Sequence, residues 1–241
     1  MYKLFGRLAD RYDWHTPPDH YQHDHAFVLD QFGKSRRILD IGCGTGVFLE
    51  RAIASGLDAY GIDSSPEMVT LSAARVGAHR VRVERMQDLQ ESNAYAGIVS
   101  LSWTFNYVHS FSEARDVLAR IYEALRPQGQ LILQLAHAPN ARGHLGEDRE
   151  RGPDGLEADI VFLYRFTQLP DDRSVLKAQY VYGCKSKAEL FFEEHILAAA
   201  NAHEVAALAA KVGFRDLDLL ESWRGEPMDT SVNVLLIARR P

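Results

Sequence analysis

Two cysteines in 241 residues, Cys43 and Cys184, are too few for a disulfide framework or a Cys-based zinc site. Their scarcity fits a reducing compartment. No stretch approaches the roughly 18 uninterrupted apolar residues that a membrane span needs. The opening residues, Met1 to Asp13, alternate charged and apolar side chains without the apolar core of a signal peptide. These absences predict a cytoplasmic protein with no membrane partner. Lysines and arginines form no run, and the net charge is −6, so no nucleic-acid partner is expected. Familiar catalytic signatures are missing as well. There is no G-x-S-x-G, no H-E-x-x-H and no P-loop. Internal repeats and a linker between two independent domains are absent too.

The stretch that organises the chain is Ile38-Leu39-Asp40-Ile41-Gly42-Cys43-Gly44-Thr45-Gly46-Val47. Its apolar start predicts a buried strand, its glycines a tight turn, and Val47 the start of a helix. Glycines without Cβ let a ligand lie against the backbone, and a strand–turn–helix of this kind cradles nucleotides. The dinucleotide fingerprint is G-x-G-x-x-G, but the spacing here is G-x-G-x-G. Asp40, just before the turn, suits a cation better than a diphosphate. An acidic residue follows at the tip of the next predicted strand: Asp63 lies 21 residues beyond Gly42 and can accept hydrogen bonds from ribose hydroxyls.

D-I-G-C-G-T-G resembles motif I of the class I S-adenosylmethionine-dependent methyltransferases. S-adenosylmethionine carries an ammonium and a sulfonium and no phosphate, which agrees with both departures from the dinucleotide pattern. The resemblance implies an α/β fold, a doubly wound seven-stranded Rossmann-like methyltransferase sheet. It implies a cofactor site built from Asp40, Gly42, Gly44, Asp63 and Ser64. The family's D-x-S-x-x-M segment is matched by Asp63, Ser65 and Met68, with Met68 against the adenine. An acidic residue after strand three accepts from the adenine amino group in the family, and Asp88 matches it, beside Gln87. Leu101, at the end of strand four, completes this set. Arg11-Tyr12-Asp13 matches an R-Y-D motif whose tyrosine contacts the cofactor, and Tyr21 follows on the next helix.

Taken in order, residues 1–34 predict two helices broken at Thr16-Pro17-Pro18, folded over the cofactor. Residues 35–140 and 198–241 predict the α/β core, with Ser112 as a cap of the helix Glu113 to Leu125. Histidines 15, 20, 23 and 25 complete no ligand set, so no metal is expected. Residues 141–197 interrupt the α/β rhythm. They predict a lid loop over 141–157, then an antiparallel β cap of three strands, Asp159–Thr167, Ser174–Gly183 and Glu189–Leu197, inserted after strand five. The cap is a candidate roof for the acceptor site and a candidate homodimer surface. The loop Glu221–Met228 is another candidate substrate contact.

Methyl transfer from a sulfonium is an in-line displacement, and a base is needed only when the acceptor must lose a proton. Tyr107, His137 and His195 are the candidate bases at the rim. The layout most resembles small-molecule N-methyltransferases that act on nucleotide-linked amino sugars. Their loop after strand four has the form S-x-G-[HY]-[LV]; here it reads Thr104-Phe105-Asn106-Tyr107-Val108, with asparagine in place of glycine. The expected function is methylation of a small molecule at nitrogen or oxygen. Alternatives are carbon methylation or other chemistry on the same fold, an NAD-linked oxidoreductase, and a non-catalytic S-adenosylmethionine-binding protein.

Overall fold

The computed structural model describes residues 2–33, 36–148, 160–184, 188–221 and 225–241. Strands β1 (Arg37–Ile41), β2 (Asp58–Asp63), β3 (Val81–Val83), β4 (Tyr95–Ser100) and β5 (Leu125–Ala136) pair in parallel. Strands β10 (Arg215–Glu221) and β12 (Asn233–Arg239) extend the sheet, with β12 antiparallel to both β5 and β10. The order is β11-β10-β12-β5-β4-β1-β2-β3, so the expected seven strands gain an eighth, the two-residue β11 (Glu226–Pro227).

Both faces of this sheet are covered, which is why β1 and β4 read as apolar runs. On one face α2 (Gln22–Asp30), α3 (Val47–Ala54) and α4 (Pro66–Val76) pack Val28, Phe48, Leu49 and Val69 against Ile38, Val99 and Ile132. On the other, α5 (Phe111–Ala124) and α6 (Ala202–Val212) bring Leu118, Ile121 and Val205 to Leu39, Ile98 and Leu133. Ser110, not Ser112, caps α5: its hydroxyl accepts the Glu113 N–H, while the Glu113 carboxylate accepts the His109 N–H. The pattern resembles a capping box, except that the carboxylate takes the N–H one residue before the cap, and Ser112 already lies inside the helix.

Two segments differ from expectation. The first predicted helix is a chain of turns over residues 3–8, a 3-10 turn at Ala9–Arg11 and the four-residue α1 (Tyr12–His15). Its apolar residues are drawn toward the insert, where Leu4 and Phe5 cluster with Tyr182 and Phe191. Residues 142–148 of the expected lid loop form a strand, β6 (Arg142–Asp148), hydrogen-bonded antiparallel to β7 (Ile160–Gln168). With β8 (Leu176–Cys184) and β9 (Glu189–Leu197) the cap is a four-stranded antiparallel sheet, β6-β7-β8-β9. The remainder of the expected lid, 149–157, and Ser222-Trp223-Arg224 of the expected contact loop lie outside the described residues.

Asn106 joins cap to core. Its side-chain amide donates to the carbonyls of Ala198 and Ala199, at the chain's return from the cap, at 3.2 and 3.1 Å. Its Oδ1 accepts the Ala136 N–H, at the end of β5, at 2.9 Å. The asparagine that stands where the amino-sugar pattern has glycine is a fully buried clamp between three segments.

Candidate active site

The sheet order reverses between β1 and β4, so their C-terminal ends diverge into a crevice, the place where open α/β sheets take ligands. A cavity of about 560 Å³ lies there, within the usual range for small-molecule sites. Its floor is the glycine turn. Met68, the segment Glu84–Gln87, Leu101, Ser102, Thr104, Tyr107 and His109 line the cavity too. Tyr2, Phe5, Tyr12 and Tyr21, from the N-terminal segment, also line it.

The glycines serve different needs. Gly42 has φ +77°, and a Cβ there would stand 2.2 Å from the methyl group of Thr104, so the rim loop excludes any side chain. Gly44 has φ +53°, and a Cβ there would meet nothing within 4 Å; its bare backbone faces open space.

Asp63 is oriented by its own backbone surroundings. Its Oδ2 accepts the Gly44 N–H and its Oδ1 the Ser65 N–H, both at 2.9 Å. Burial nevertheless raises its pKa. Asp40 is 3 % exposed and lines the same cavity, and its Oδ1 has no hydrogen-bond partner. Burial, reinforced by the Asp63 charge, pushes its carboxyl up to about 8. A buried, unpartnered carboxylate oxygen on a residue that lines a cavity calls for a cation or donor. An orphaned acceptor, an uncovered glycine backbone and a pre-oriented carboxylate fit the ammonium and ribose of the expected cofactor.

The R-Y-D motif is divided between two tasks. Tyr12 is part of the cavity wall, whereas Asp13 accepts from the Thr45 hydroxyl at 2.6 Å and from the Arg75 guanidinium. The N-terminal segment is thereby pinned to the glycine turn and to α4. Ser65 adds a second pin: its hydroxyl donates to the Phe5 carbonyl at 2.5 Å and accepts the Met68 N–H as the cap of α4.

Of the expected cofactor residues, the cavity brings together Tyr12, Tyr21, Asp40, Gly42, Gly44, Asp63, Ser64, Met68, Gln87 and Leu101. Asp88 is a correction. It is exposed and does not line the cavity, because the 3-10 turn Met86–Asp88 directs Gln87 to the cavity and leaves Asp88 beside Arg85, 3.9 Å away.

The three candidate bases separate. Tyr107 is on the cavity wall. His137 is a second correction: it is buried away from the cavity, and its Nδ1 accepts the Ala202 N–H, in the first turn of α6, at 3.2 Å. Burial and the adjacent His203 push its pKa down to about 4. Its ring serves a helix end, not the rim. His195 is fully buried behind the wall, with its Nδ1 2.6 Å from the Tyr107 hydroxyl and its Nε2 3.4 Å from the Glu193 carboxylate. Burial lowers the His195 pKa, opposed by Glu193, and burial raises that of Tyr107.

Tyr2, Phe5, His25 and Glu193 went unassigned from sequence. For Glu193 a signal existed: in a strand, residues two apart share a face, so Glu193 and His195 project together. For Tyr2 and Phe5 there was none, because their place depends on where the N-terminal turns dock.

The family model described as Methyltransferase domain matches residues 14–219. A protein of Geobacillus sp. (strain WCH70), which bears a methyltransferase name without an acceptor, is 26% identical over 246 residues, covering 99% of each chain. Among solved structures, DesVI of Streptomyces venezuelae superposes with a TM-score of 0.76 at 18% identity, over 96% of this chain and 97% of that one. CalS10 of Micromonospora echinaspora, an amino pentose methyltransferase solved with S-adenosylmethionine bound, gives 0.68 at 22% identity, over 98% and 94%.

Proposed function

The chain belongs to the methyltransferase domain family, and from that premise we propose that it transfers a methyl group from S-adenosylmethionine to nitrogen or oxygen of a small molecule. The observation that carries this reading is one cavity with two kinds of lining. Asp40, Gly44 and Asp63 offer a cation acceptor, a bare backbone and an oriented carboxylate, and Tyr2, Phe5 and Tyr107, in mutual ring contact, offer an aromatic chamber.

The cofactor supplies an activated methyl group on a sulfonium, so the protein's work is alignment and the exclusion of water. Asp40 holds the α-ammonium and Asp63 the ribose hydroxyls. Met68, Gln87 and Leu101 flank the adenine, and Tyr12 and Tyr21 close over it. The N-terminal segment, pinned by Asp13 and Ser65, keeps bulk water from the chamber. An amino sugar, by analogy with CalS10, is one acceptor of suitable kind; a planar phenol or amine suits the aromatic walls equally.

Titration calorimetry with S-adenosylmethionine tests the cofactor site, and radiolabelled methyl transfer to a panel of amino sugars, amines and phenols tests the acceptor class. Asp63→Ala is expected to weaken cofactor binding by roughly 1.5–3 kcal/mol, the worth of hydrogen bonds to a charged group. Absence of binding by the native chain refutes the reading.

A further inference from the structure

Behind the chamber wall lies a chain of polar groups that cofactor binding does not use. Tyr107 faces the cavity, and its hydroxyl stands 2.6 Å from His195 Nδ1. On the far side of the ring, Nε2 stands 3.4 Å from Glu193 Oε2, an ion-pair approach without hydrogen-bond alignment, and Nε2 makes no hydrogen bond to any other group. A carboxylate can only accept, so the neutral ring keeps its proton on Nε2, and Nδ1 accepts the tyrosine O–H. Glu193 is itself buried and held by the backbone N–H groups of Lys3 and Leu4, at 2.5 and 3.3 Å. The other groups against His195 are aromatic: Tyr2 stacks on it at 3.6 Å, with Tyr180 and Phe5 edge-on at 4.9 and 5.6 Å. Glu193 is therefore the one carboxylate among the groups seen to face the ring.

We propose that Tyr107, His195 and Glu193 form a proton relay, and that the chamber accepts a molecule whose reacting atom must lose a proton, an ammonium or a hydroxyl. The inference rests on the methyl-transfer reading above. The N–H or O–H bond of the acceptor breaks and its proton goes to Tyr107 Oη. The proton of Tyr107 passes to His195 Nδ1, and the electron pair stays on the acceptor atom for bonding to carbon. The ring gains one positive charge, which the Glu193 carboxylate balances. Tyr107 is the catalytic residue in this scheme. His195 and Glu193 are positioning residues that act through it. Burial lowers the pKa of His195, so the resting ring is neutral and its Nδ1 lone pair is available, while Glu193 opposes that shift and favours the protonated ring.

The test uses the full chain with ¹⁵N-labelled histidine, saturated with S-adenosylhomocysteine. His195 is expected to carry its neutral-ring proton on Nε2. Glu193→Gln is expected to reduce its proton affinity at least tenfold, and Glu193→Asp to restore most of it. A proton on Nδ1, or a His195 titration that ignores Glu193→Gln, overturns the relay. Because Glu193 also tethers residues 3 and 4, Tyr107→Phe and His195→Gln are measured beside it. With any acceptor turned over by the panel, all three variants are expected to lower kcat far more than they raise KM. Glu193→Gln should also move the rising limb of the pH–rate profile to lower pH, by lowering the His195 pKa, whereas Tyr107→Phe and His195→Gln should move it to higher pH, toward the acceptor's own ionisation; a uniform loss at every pH marks a structural role and refutes the relay. Calorimetry with S-adenosylhomocysteine keeps the two readings apart. Failure of the native chain to bind it refutes the function, whereas intact binding with an insensitive His195 refutes the relay alone.

Discussion

Asp40 should make cofactor binding release a proton. Its carboxyl is buried, lacks a partner on Oδ1, and is pushed up to about 8 by desolvation and the nearby Asp63. With that value about nine-tenths of the free protein carries the proton at pH 7. An ammonium placed against Oδ1 needs the ionised form, so binding expels about 0.9 proton at pH 7. The affinity should accordingly rise about twentyfold between pH 6 and 7.5, or about 1.8 kcal/mol. In the absence of ligand the sign is opposite for folding. The native state holds a proton that the unfolded chain has released above about pH 4, so stability contributed by neutral Asp40 is lost as pH rises toward 8. The assay is calorimetry with S-adenosylhomocysteine, which keeps the ammonium and cannot turn over, in buffers of low and high ionisation enthalpy at pH 7. Asp40→Asn is the control: proton release and the pH slope should both vanish. Equal enthalpies in the two buffers for the native chain refute the assignment of Asp40 to a cation.

Two further outcomes follow from buried hydrogen bonds. Asn106→Ala strips partners from one amide and two carbonyls at the junction of cap and core, and should cost about 2–4 kcal/mol in urea unfolding; a loss under 0.5 kcal/mol contradicts the clamp. His137→Ala removes an acceptor from the start of α6 and should cost about 1 kcal/mol while S-adenosylhomocysteine affinity stays unchanged. A fall in turnover without that loss of stability would return His137 to the active site.

Local chemistry made much of this protein legible along the chain. The run Ile38 to Val47 determined a strand, a turn and a helix, because glycine spacing and burial on both faces are local constraints. The same run indicated a cation rather than a phosphate, since Asp40 precedes the turn and the third Rossmann glycine is missing. Asp63 could be placed because the distance from one strand tip to the next is set by the helix between them. Single residues in loops were less readable. Asp88 and Gln87 are adjacent, and only the sense of a 3-10 turn decides which one enters the cavity.

Tertiary structure decided everything that depends on how distant segments meet. His137 and Tyr107 both follow strands that end at the same rim, yet docking of α6 takes the first into a helix cap while the second keeps the cavity. Asn106 looked like a departure from a substrate loop until the return of the chain from the cap supplied its partners. The Tyr107–His195–Glu193 chain spans 88 residues from first to second member, and no local pattern links them. Sequence alone specified which cofactor chemistry the floor of the cavity can hold, because that floor is a contiguous stretch. The aromatic part of the cavity wall comes from the N-terminal segment and the rim after β4, with His195 of the cap behind Tyr107, so its chemistry exists only once those three have packed.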